Sequence, residues 1–274
     1  MKQGKTRVLV TGATGFLGRR LVETVVKRGY WVRGLDRSLA QTPIRKTGGA
    51  ELIYGDVGNA GSLIPAFKDI DVVVHTAADT TGIEQETKRT TIQGTKNVLD
   101  LCQEFKVSKL IYISSLSVYG VADFPKDRVI TEDSALEPYP EKRGWYSFGK
   151  SEAEKLVMEA MRKGAFPIVC LRPGTIFGPG AELFTPMMGF SMGEKVFAVI
   201  GMGGFLLPLV YIDNLVDAII GAISKSEADS KVFNVVDPDP LSKKEFVEKV
   251  LKPLYPKAIF IVTSRPICPR ISWP

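Results

Sequence analysis

The sequence predicts an α/β chain, a doubly wound parallel sheet with a smaller, discontinuous C-terminal portion. Three observations carry that prediction. The first 173 residues alternate strand-like and helix-like segments. Several of the strand-like segments are nearly continuous apolar runs, as expected of strands covered on both faces. A glycine triplet stands directly between the first strand and the first helix.

In chain order, 7–11 (RVLVT) opens the sheet and 16–28 reads as the first helix. Strands are expected at 31–36 (WVRGLD), 51–57 (ELIYGDV), 71–77 (DVVVHTA), 109–115 (KLIYISS) and 167–173 (PIVCLRP). Helices are expected at 88–106 and 146–164. In the latter, Ala153, Leu156, Val157, Ala160 and Met161 recur at three- and four-residue spacing, one buried stripe. That stripe runs back through Lys150 and Tyr146, a phenol and an ammonium one above the other.

After Arg172 the texture changes. Residues 173–209 are rich in Gly, Pro, Met and Phe and read as loops, a short helix and a strand at 195–200. A helix at 213–224, a strand at 232–236 and a capping box of Ser242 and Glu245 opening a further helix follow. The tail SRPICPRISWP has no clear pattern, and no internal repeat or long linker is present.

The 274 residues are 45% hydrophobic and 24% charged, enough for a large core and unlike a disordered chain. No run of eighteen apolar residues predicts a membrane span, and the N-terminus lacks a secretory h-region. Cys102, Cys170 and Cys268 are few and far apart, which favours reduced thiols in a cytoplasmic setting. With His75 the only histidine, a His-based metal site or a Ser-His-Asp triad is not expected. The net charge of +6 is spread along the chain, so no nucleic-acid partner is expected, though the surface suits an anionic ligand.

The glycines lie at 12, 15 and 18, in TGATGFLG. Gly12 allows the tight turn, Gly15 lets a diphosphate approach the backbone, and Gly18 lets the helix pack on the strand. The helix then offers its open N–H groups and positive dipole end to the phosphates. Asp36, at the end of the second strand, stands where a carboxylate accepts from the adenosine ribose hydroxyls, favouring NAD over NADP. Arg37 follows it and works against that preference. Asp56 is placed to reach the adenine edge or to serve as a loop acid. The chain therefore divides into a dinucleotide-binding Rossmann-type portion, 1–173 plus 208–237, and a substrate-binding portion, 174–207 plus 238–274.

A dinucleotide site gives the Tyr146–Lys150 pair a chemistry. A tyrosine near pKa 10 is a poor base at neutral pH, but a neighbouring ammonium and a positive nicotinamide favour the phenolate. Lys150 can also hold the nicotinamide ribose. Ser115, in ISSLSVYG at the carboxyl end of a strand, is the best candidate to hold the substrate oxygen, with Ser117 and Ser114 behind it. Taken alone, such a pair is more often a buried tyrosine with a snorkelling lysine; the glycine loop and the serine strand in this order and spacing turn the reading toward chemistry.

On these residues the chain resembles the extended short-chain dehydrogenase/reductases, also called NAD-dependent epimerase/dehydratases. TGATGFLG is similar to the family's TGxxGxxG, HTAA (75–78) to HxAA, and ISSLSVYG to SSxxVYG. YSFGK is similar to YxxxK, LRPGTIFGPG to LRPxxxxGPG, and VYIDNLVDAI to VHVDDLxxA. The resemblance implies Ser115, Tyr146 and Lys150 as catalytic. It also implies that Gly12, Thr14, Gly15, Phe16, Leu17, Gly18, Asp36, Arg37, Asp56 and Val57 surround the cofactor. Thr76, Ala77, Ala78, Pro173, Tyr146 and Lys150 complete that set, His75 being structural. A homodimer through helices near 88–106 and 146–164 follows from the family alone.

Two departures bear on the substrate. Nucleotide-sugar members carry an Asn where this chain has Thr175, and an Arg near the position of Leu206 and Leu207. FLLPLVYIDN is more similar to the branch acting on 3β-hydroxysteroids and sterol-type alcohols. Ser117, Thr175 and Leu207 are the expected substrate contacts, and 183–197 would suit an apolar pocket wall. Arg143 or Lys195 could still serve a diphosphate. Family members continue several tens of residues beyond a point like 274, so the expected substrate portion is minimal or cut short. The expected activity is NAD(P)-dependent hydride transfer to or from a secondary alcohol or ketone of a fairly apolar small molecule. A nucleotide-sugar 4-epimerase, a dehydratase and an NAD(P)-sensing binding protein are the rivals. The dehydratase ranks last because Leu116 and Ser117 stand where its extra acid–base pair would be.

Overall fold

The structure, a computed structural model, describes residues 5–39, 45–120, 129–181, 188–193, 195–201 and 206–263. It divides into two compact units, Met1–Gly174 with Ile212–Val235, and Thr175–Tyr211 with Val236–Pro274. The first opens with β1 (Arg7–Thr11), α1 (Phe16–Lys27), β2 (Trp31–Asp36), β3 (Arg45–Thr47) and β4 (Ala50–Tyr54). There follow α2 (Ala60–Phe67), β5 (Val72–His75) and α3 (Glu84–Glu86), which runs through a π turn at Thr87–Gln93 into α4 (Gly94–Glu104). β6 (Lys109–Ile113), α5 (Trp145–Lys163) and β7 (Ile168–Pro173) come next. The second unit supplies β8 (Thr175–Phe177), β9 (Gly189–Met192), β10 (Val196–Ile200) and β11 (Leu209–Tyr211). The chain re-enters the first unit for α6 (Ile212–Ser224) and β12 (Val232–Val235). Its last described elements are α7 (Lys243–Phe246), a π turn at Val247–Leu251, α8 (Lys252–Leu254) and β13 (Ile259–Thr263).

In the first unit the sheet order is β12-β7-β6-β5-β1-β2-β4-β3, parallel except for the edge strand β3. Strand order reverses at β1, which pairs with β2 on one side and β5 on the other. Open α/β sheets bind ligands outside the carboxyl ends of the strands at such a switch point. The core is built from the apolar runs read in the sequence. Leu9, Val73, Leu110, Ile168 and Cys170 from the strands pack with Val98 and Cys102 of α4 and Ala153 and Val157 of α5. Burying each large aliphatic side chain is worth about 1.5–3 kcal/mol.

Several boundaries differ from the sequence-based expectation, each for a local reason. The strand at 51–57 stops at Tyr54 because the Asp56 carboxylate turns back to accept from Gly58 N–H at 2.9 Å. The strands at 71–77 and 109–115 stop at His75 and Ile113. The helix at 88–106 starts earlier, at Glu84, and its π turn breaks the 3.6-residue phase. α2, with Pro65 inside its eight residues, was not anticipated.

The second unit holds a three-stranded sheet, β13-β10-β9, and the parallel pair β8–β11. Met188, Phe197, Val199, Leu207, Leu209, Phe246, Val247 and Leu251 form its core. The strand expected at 195–200 is β10, and the expected capping box is formed: Ser242 Oγ accepts from Glu245 N–H, and Glu245 reaches back to Ser242 N–H. Among the described residues of 173–209 there are strands and no helix. Thr175–Phe177 and Leu209–Tyr211 pair with each other across a long separation, which no local periodicity signals. Residues 182–187, 194, 202–205 and 264–274, which include part of the expected pocket wall, the tail and Cys268, lie outside the described residues.

Candidate active site

The turn after β1 has the shape that its glycines require. Gly12 sits at φ +70°, and Gly15 N–H donates to Gly12 O at 3.1 Å. A Cβ on Gly18 would lie 2.0 Å from Gly12 O, and one on Gly15 3.3 Å from the same oxygen. The N-terminus of α1 has no acidic residue in its first turn and no side-chain cap. Its N–H groups and positive dipole end are thus left for an anion. Thr14 and Phe16 are partly buried, while Leu17 is packed in the core.

Asp36 closes the turn from the next strand. Its carboxylate accepts from Ser38 N–H at 2.9 Å and Thr14 N–H at 3.4 Å. Arg37 points away, donating to Glu86 at 2.8 Å. Asp56 is paired with Arg89, and Val57 beside it is buried. These residues fit a dinucleotide: a cradle that side chains would fill, an uncapped helix end and a carboxylate held at the edge of the turn.

His75 is a strut. Thr95 gives its hydroxyl hydrogen to Thr91 O at 2.7 Å, so its oxygen accepts from His75 Nε2–H at 3.1 Å. Thr11 Oγ1 accepts from Ala77 N–H at 3.3 Å and donates to His75 Nδ1 at 2.7 Å. The ring is therefore neutral with its proton on Nε2. Burial, and then the Lys150 charge, lower its pKa to about 3. Thr76 Oγ1 donates to Thr11 O at 2.6 Å, so the 75–78 stretch is stitched to β1 and backs the glycine turn. A Cβ on Gly12 would meet Ala77 and Thr76 at 3.0 Å; Ala78 follows, partly buried.

Ser115 caps a short 3-10 turn, its Oγ accepting from Ser117 N–H at 3.1 Å. Burial raises the Tyr146 phenol's pKa, and the neighbouring Ser115 side chain opposes that rise by favouring the phenolate. Lys150 is buried one turn further along α5, and its Nζ donates to Ile113 O at 2.9 Å. Burial lowers its pKa to about 8 against the opposing pull of Cys170 and Glu154. After burial, the Lys150 charge also lowers the pKa of the neighbouring His75.

Behind this set lies a charge pair that sequence reasoning missed. Glu154, 1% exposed, meets Arg172, 3% exposed, at 2.6 Å. The Ser114 hydroxyl donates to Glu154, and Arg172 also donates to the Tyr119 hydroxyl and to Glu132 O. The signal was available: Glu154 continues the four-residue spacing from Tyr146 through Lys150.

The remaining candidates are less engaged. Ser117 Oγ is buried with no partner among the described residues. Arg143 donates to Ser117 O and Tyr119 O and lies 3.8 Å from Glu137, so its charge is already used. Pro173 ends β7, buried. In the second unit, Thr175 N–H donates to Pro208 O at 2.7 Å. There Leu207 is 2% exposed in the core and Leu206 52% exposed. Lys195 is exposed. A cavity of about 680 Å³ lies at the opposite, amino edge of the first unit's sheet. Its Arg7 stacks on Trp31, and its Lys109 is bound by Ala222 O, Lys225 O and Asp229. Among the described residues no cluster could hold a metal ion and no helix is long and apolar enough to cross a membrane.

Comparison with known proteins agrees with this geometry. The family model described as "NAD dependent epimerase/dehydratase family" matches residues 8–235. A curated relative from Arabidopsis thaliana, "3beta-hydroxysteroid-dehydrogenase/decarboxylase isoform 1", is 29% identical over 90% of this chain and 61% of its own length. A sterol-4-alpha-carboxylate 3-dehydrogenase (decarboxylating) from Candida albicans is 32% identical over 82% of this chain and 66% of its own length. The chain thus spans less than two thirds of these relatives. Among solved structures, MoeE5 in complex with UDP-glucuronic acid and NAD superposes with a TM-score of 0.76 at 26% identity. That match covers 95% of this chain and 86% of the other.

Proposed function

Because the chain belongs to the NAD-dependent epimerase/dehydratase family, we propose that it is an NAD-dependent oxidoreductase of the extended short-chain dehydrogenase/reductase type. Its substrate class is a secondary alcohol or ketone on a fairly apolar, sterol-like molecule. The observation that carries the reading is the placement of Ser115 beside the Tyr146 phenol, with Lys150 one turn further on α5 and an uncapped glycine turn at the same sheet edge. The first unit is the dinucleotide-binding portion, and the second is the substrate-binding portion.

Gly12, Gly15 and the open N–H groups of α1 would hold the diphosphate, and Asp36 would hold the adenosine ribose. Lys150, fixed by Ile113 O, would hold the nicotinamide ribose with its remaining donors. When bound, NAD supplies the hydride acceptor, and in its reduced form the donor. Tyr146 takes the proton of the alcohol at its phenolic oxygen, or gives one to the ketone oxygen in reverse. Ser115 donates a hydrogen bond to that same oxygen, where negative charge develops. The substrate class is supported by the sterol and steroid names of the curated relatives and by Arg143 being already bound. A homodimer and a cytoplasmic setting belong to the same reading, and gel filtration at twice the 30.0 kDa chain mass tests the dimer.

A panel of hydroxysteroids and other apolar secondary alcohols, assayed with NAD and with NADP, tests the proposal. Net NADH formation is expected, with Tyr146→Phe lowering the rate by about 10²–10⁴-fold while NAD still binds. An unaffected rate in Tyr146→Phe would sink the mechanism. The UDP-glucuronic acid bound by MoeE5 favours a second reading, a nucleotide-sugar epimerase, which would form product with no net NADH. Tight NAD binding with no reacting alcohol or ketone would instead point to a cofactor-sensing protein.

A further inference from the structure

We propose that Glu86 determines cofactor specificity: by holding Arg37 away from the adenosine ribose, it makes the chain reject a ribose that carries a 2′-phosphate. This rests on the dinucleotide reading above and extends it to a residue outside every motif of the sequence.

The strand-end pair Asp36–Arg37 sets opposite charges side by side. A carboxylate there accepts from ribose hydroxyls and repels a phosphate ester, whereas a free guanidinium would bind that ester with charge-assisted hydrogen bonds. The two side chains diverge. Asp36 faces the glycine turn through Thr14 and Ser38. Arg37 Nη1 donates to Glu86 Oε2 at 2.8 Å.

Glu86 is well held in that position. It also accepts from Arg89 Nε at 3.3 Å and Nη2 at 3.1 Å, and from Thr90 Oγ1 at 3.5 Å. Arg89 in turn pairs with Asp56, beyond the end of β4. Asp56 and Glu86 thus hold the two guanidiniums of Arg37 and Arg89, while the Asp36 carboxylate stays at the glycine turn, where Arg19 donates to Thr14 O at 3.1 Å. The Arg89 and Arg37 hydrogen bonds hold the Glu86 carboxyl near pKa 2, so it stays ionised at any working pH.

A 2′-phosphate brings a further −1.5 to −2 or so. It would meet the Asp36 carboxylate, with the Arg37 guanidinium beside it in sequence already occupied by Glu86. Neutralising Glu86 removes the charge that holds Arg37. Arg37, half-exposed along its side chain, is then free to turn. Exposed ion pairs contribute little to stability, so the expected consequence is in ligand choice.

Calorimetric titration of NAD and NADP into the wild-type chain, Glu86→Gln, Glu86→Ala and Glu86→Gln/Arg37→Gln tests this. The wild type is expected to prefer NAD. Either single variant should shift the NADP:NAD affinity ratio about tenfold toward NADP, and the double variant should abolish that gain. A ratio in both single variants within about twofold of wild type overturns the proposal. So does a gain that survives Arg37→Gln, since it would not run through Arg37. A wild-type chain that binds neither nucleotide overturns the dinucleotide reading itself, and that titration distinguishes the two failures.

Discussion

At His75 a single residue links strand order to the cofactor turn. Its two nitrogens bind the hydroxyls of Thr11 and Thr95, and so tie β1, β5 and α4 together behind Gly12. A ring with a folded pKa near 3 stays neutral where the unfolded chain, with its ring near 6.5, takes up a proton. Unfolding therefore binds a proton between those values, and stability falls as pH drops from 6.5 toward 3, by about 1.4 kcal/mol per unit. Urea melts across that window should show the acid loss in the wild type and a shallower one in His75→Gln. Equal slopes would mean that the ring is not neutral when folded. Lys150 gives the mirror case at the alkaline end. With its folded pKa near 8 against 10.5 unfolded, the unfolded state holds the extra proton between those values, so stability rises with pH there. Lys150→Met should remove that rise, and a slope kept in the variant would assign it to another group.

At the scale of elements, the seating of α5 against the π turn decides where Tyr146 and Lys150 point. Gly149, between them, makes that close approach possible: a Cβ there would lie 2.4 Å from Thr87 Cγ2. Gly to Ala within a helix ordinarily stabilises by about 1 kcal/mol. Overpacking a tight contact costs about 1–3 kcal/mol, so the net sign here should be destabilising. Gly149→Ala is expected to lower Tm and activity together, and adding Thr87→Ser should restore both. Serine removes the clashing methyl but keeps the hydroxyl that donates to Asp79 at 2.8 Å. Failure of that rescue would place the cost elsewhere. The helix itself was readable from the sequence: Ala153 and Val157 are buried, and Leu156, Ala160 and Met161 pack beside them, along the stripe their spacing marked. The π turn was not, because one extra residue per turn shifts the phase on which helix reading depends. Nor were β8 and β11, whose stability comes from a distant partner rather than from their own residues. The glycine turn was readable because a tight turn against a following helix allows few residue types. That the Lys150 amine is held by Ile113 O was not, since a backbone acceptor leaves no mark in the sequence pattern.

At the scale of the whole first unit, one buried ion pair joins the separate parts of the sheet edge. Glu154 of α5 binds Arg172 of β7 and the Ser114 hydroxyl just beyond β6. Arg172 continues to the Tyr119 hydroxyl, and Tyr119 donates to Asn234 of β12 at 2.8 Å. The network therefore fixes the residue before Ser115 relative to the helix that carries Tyr146. Burial of both charges is costly, and a well-packed apolar pair can replace such a bridge at little or no loss of stability. Removing one partner alone leaves an uncompensated charge in the core, with a cost of about 3–5 kcal/mol. Glu154→Leu and Arg172→Met are each expected to destabilise by that amount, and the double variant by much less. Stability and turnover should separate in the double variant. It would fold near normally yet lose activity, because Ser114 and Tyr119 have lost the partners that aim the Ser115 turn at the phenol. Denaturant melts and steady-state rates on the three variants check both halves. If the double variant keeps full turnover, the pair serves the fold alone, and the Ser115 turn holds its position without it.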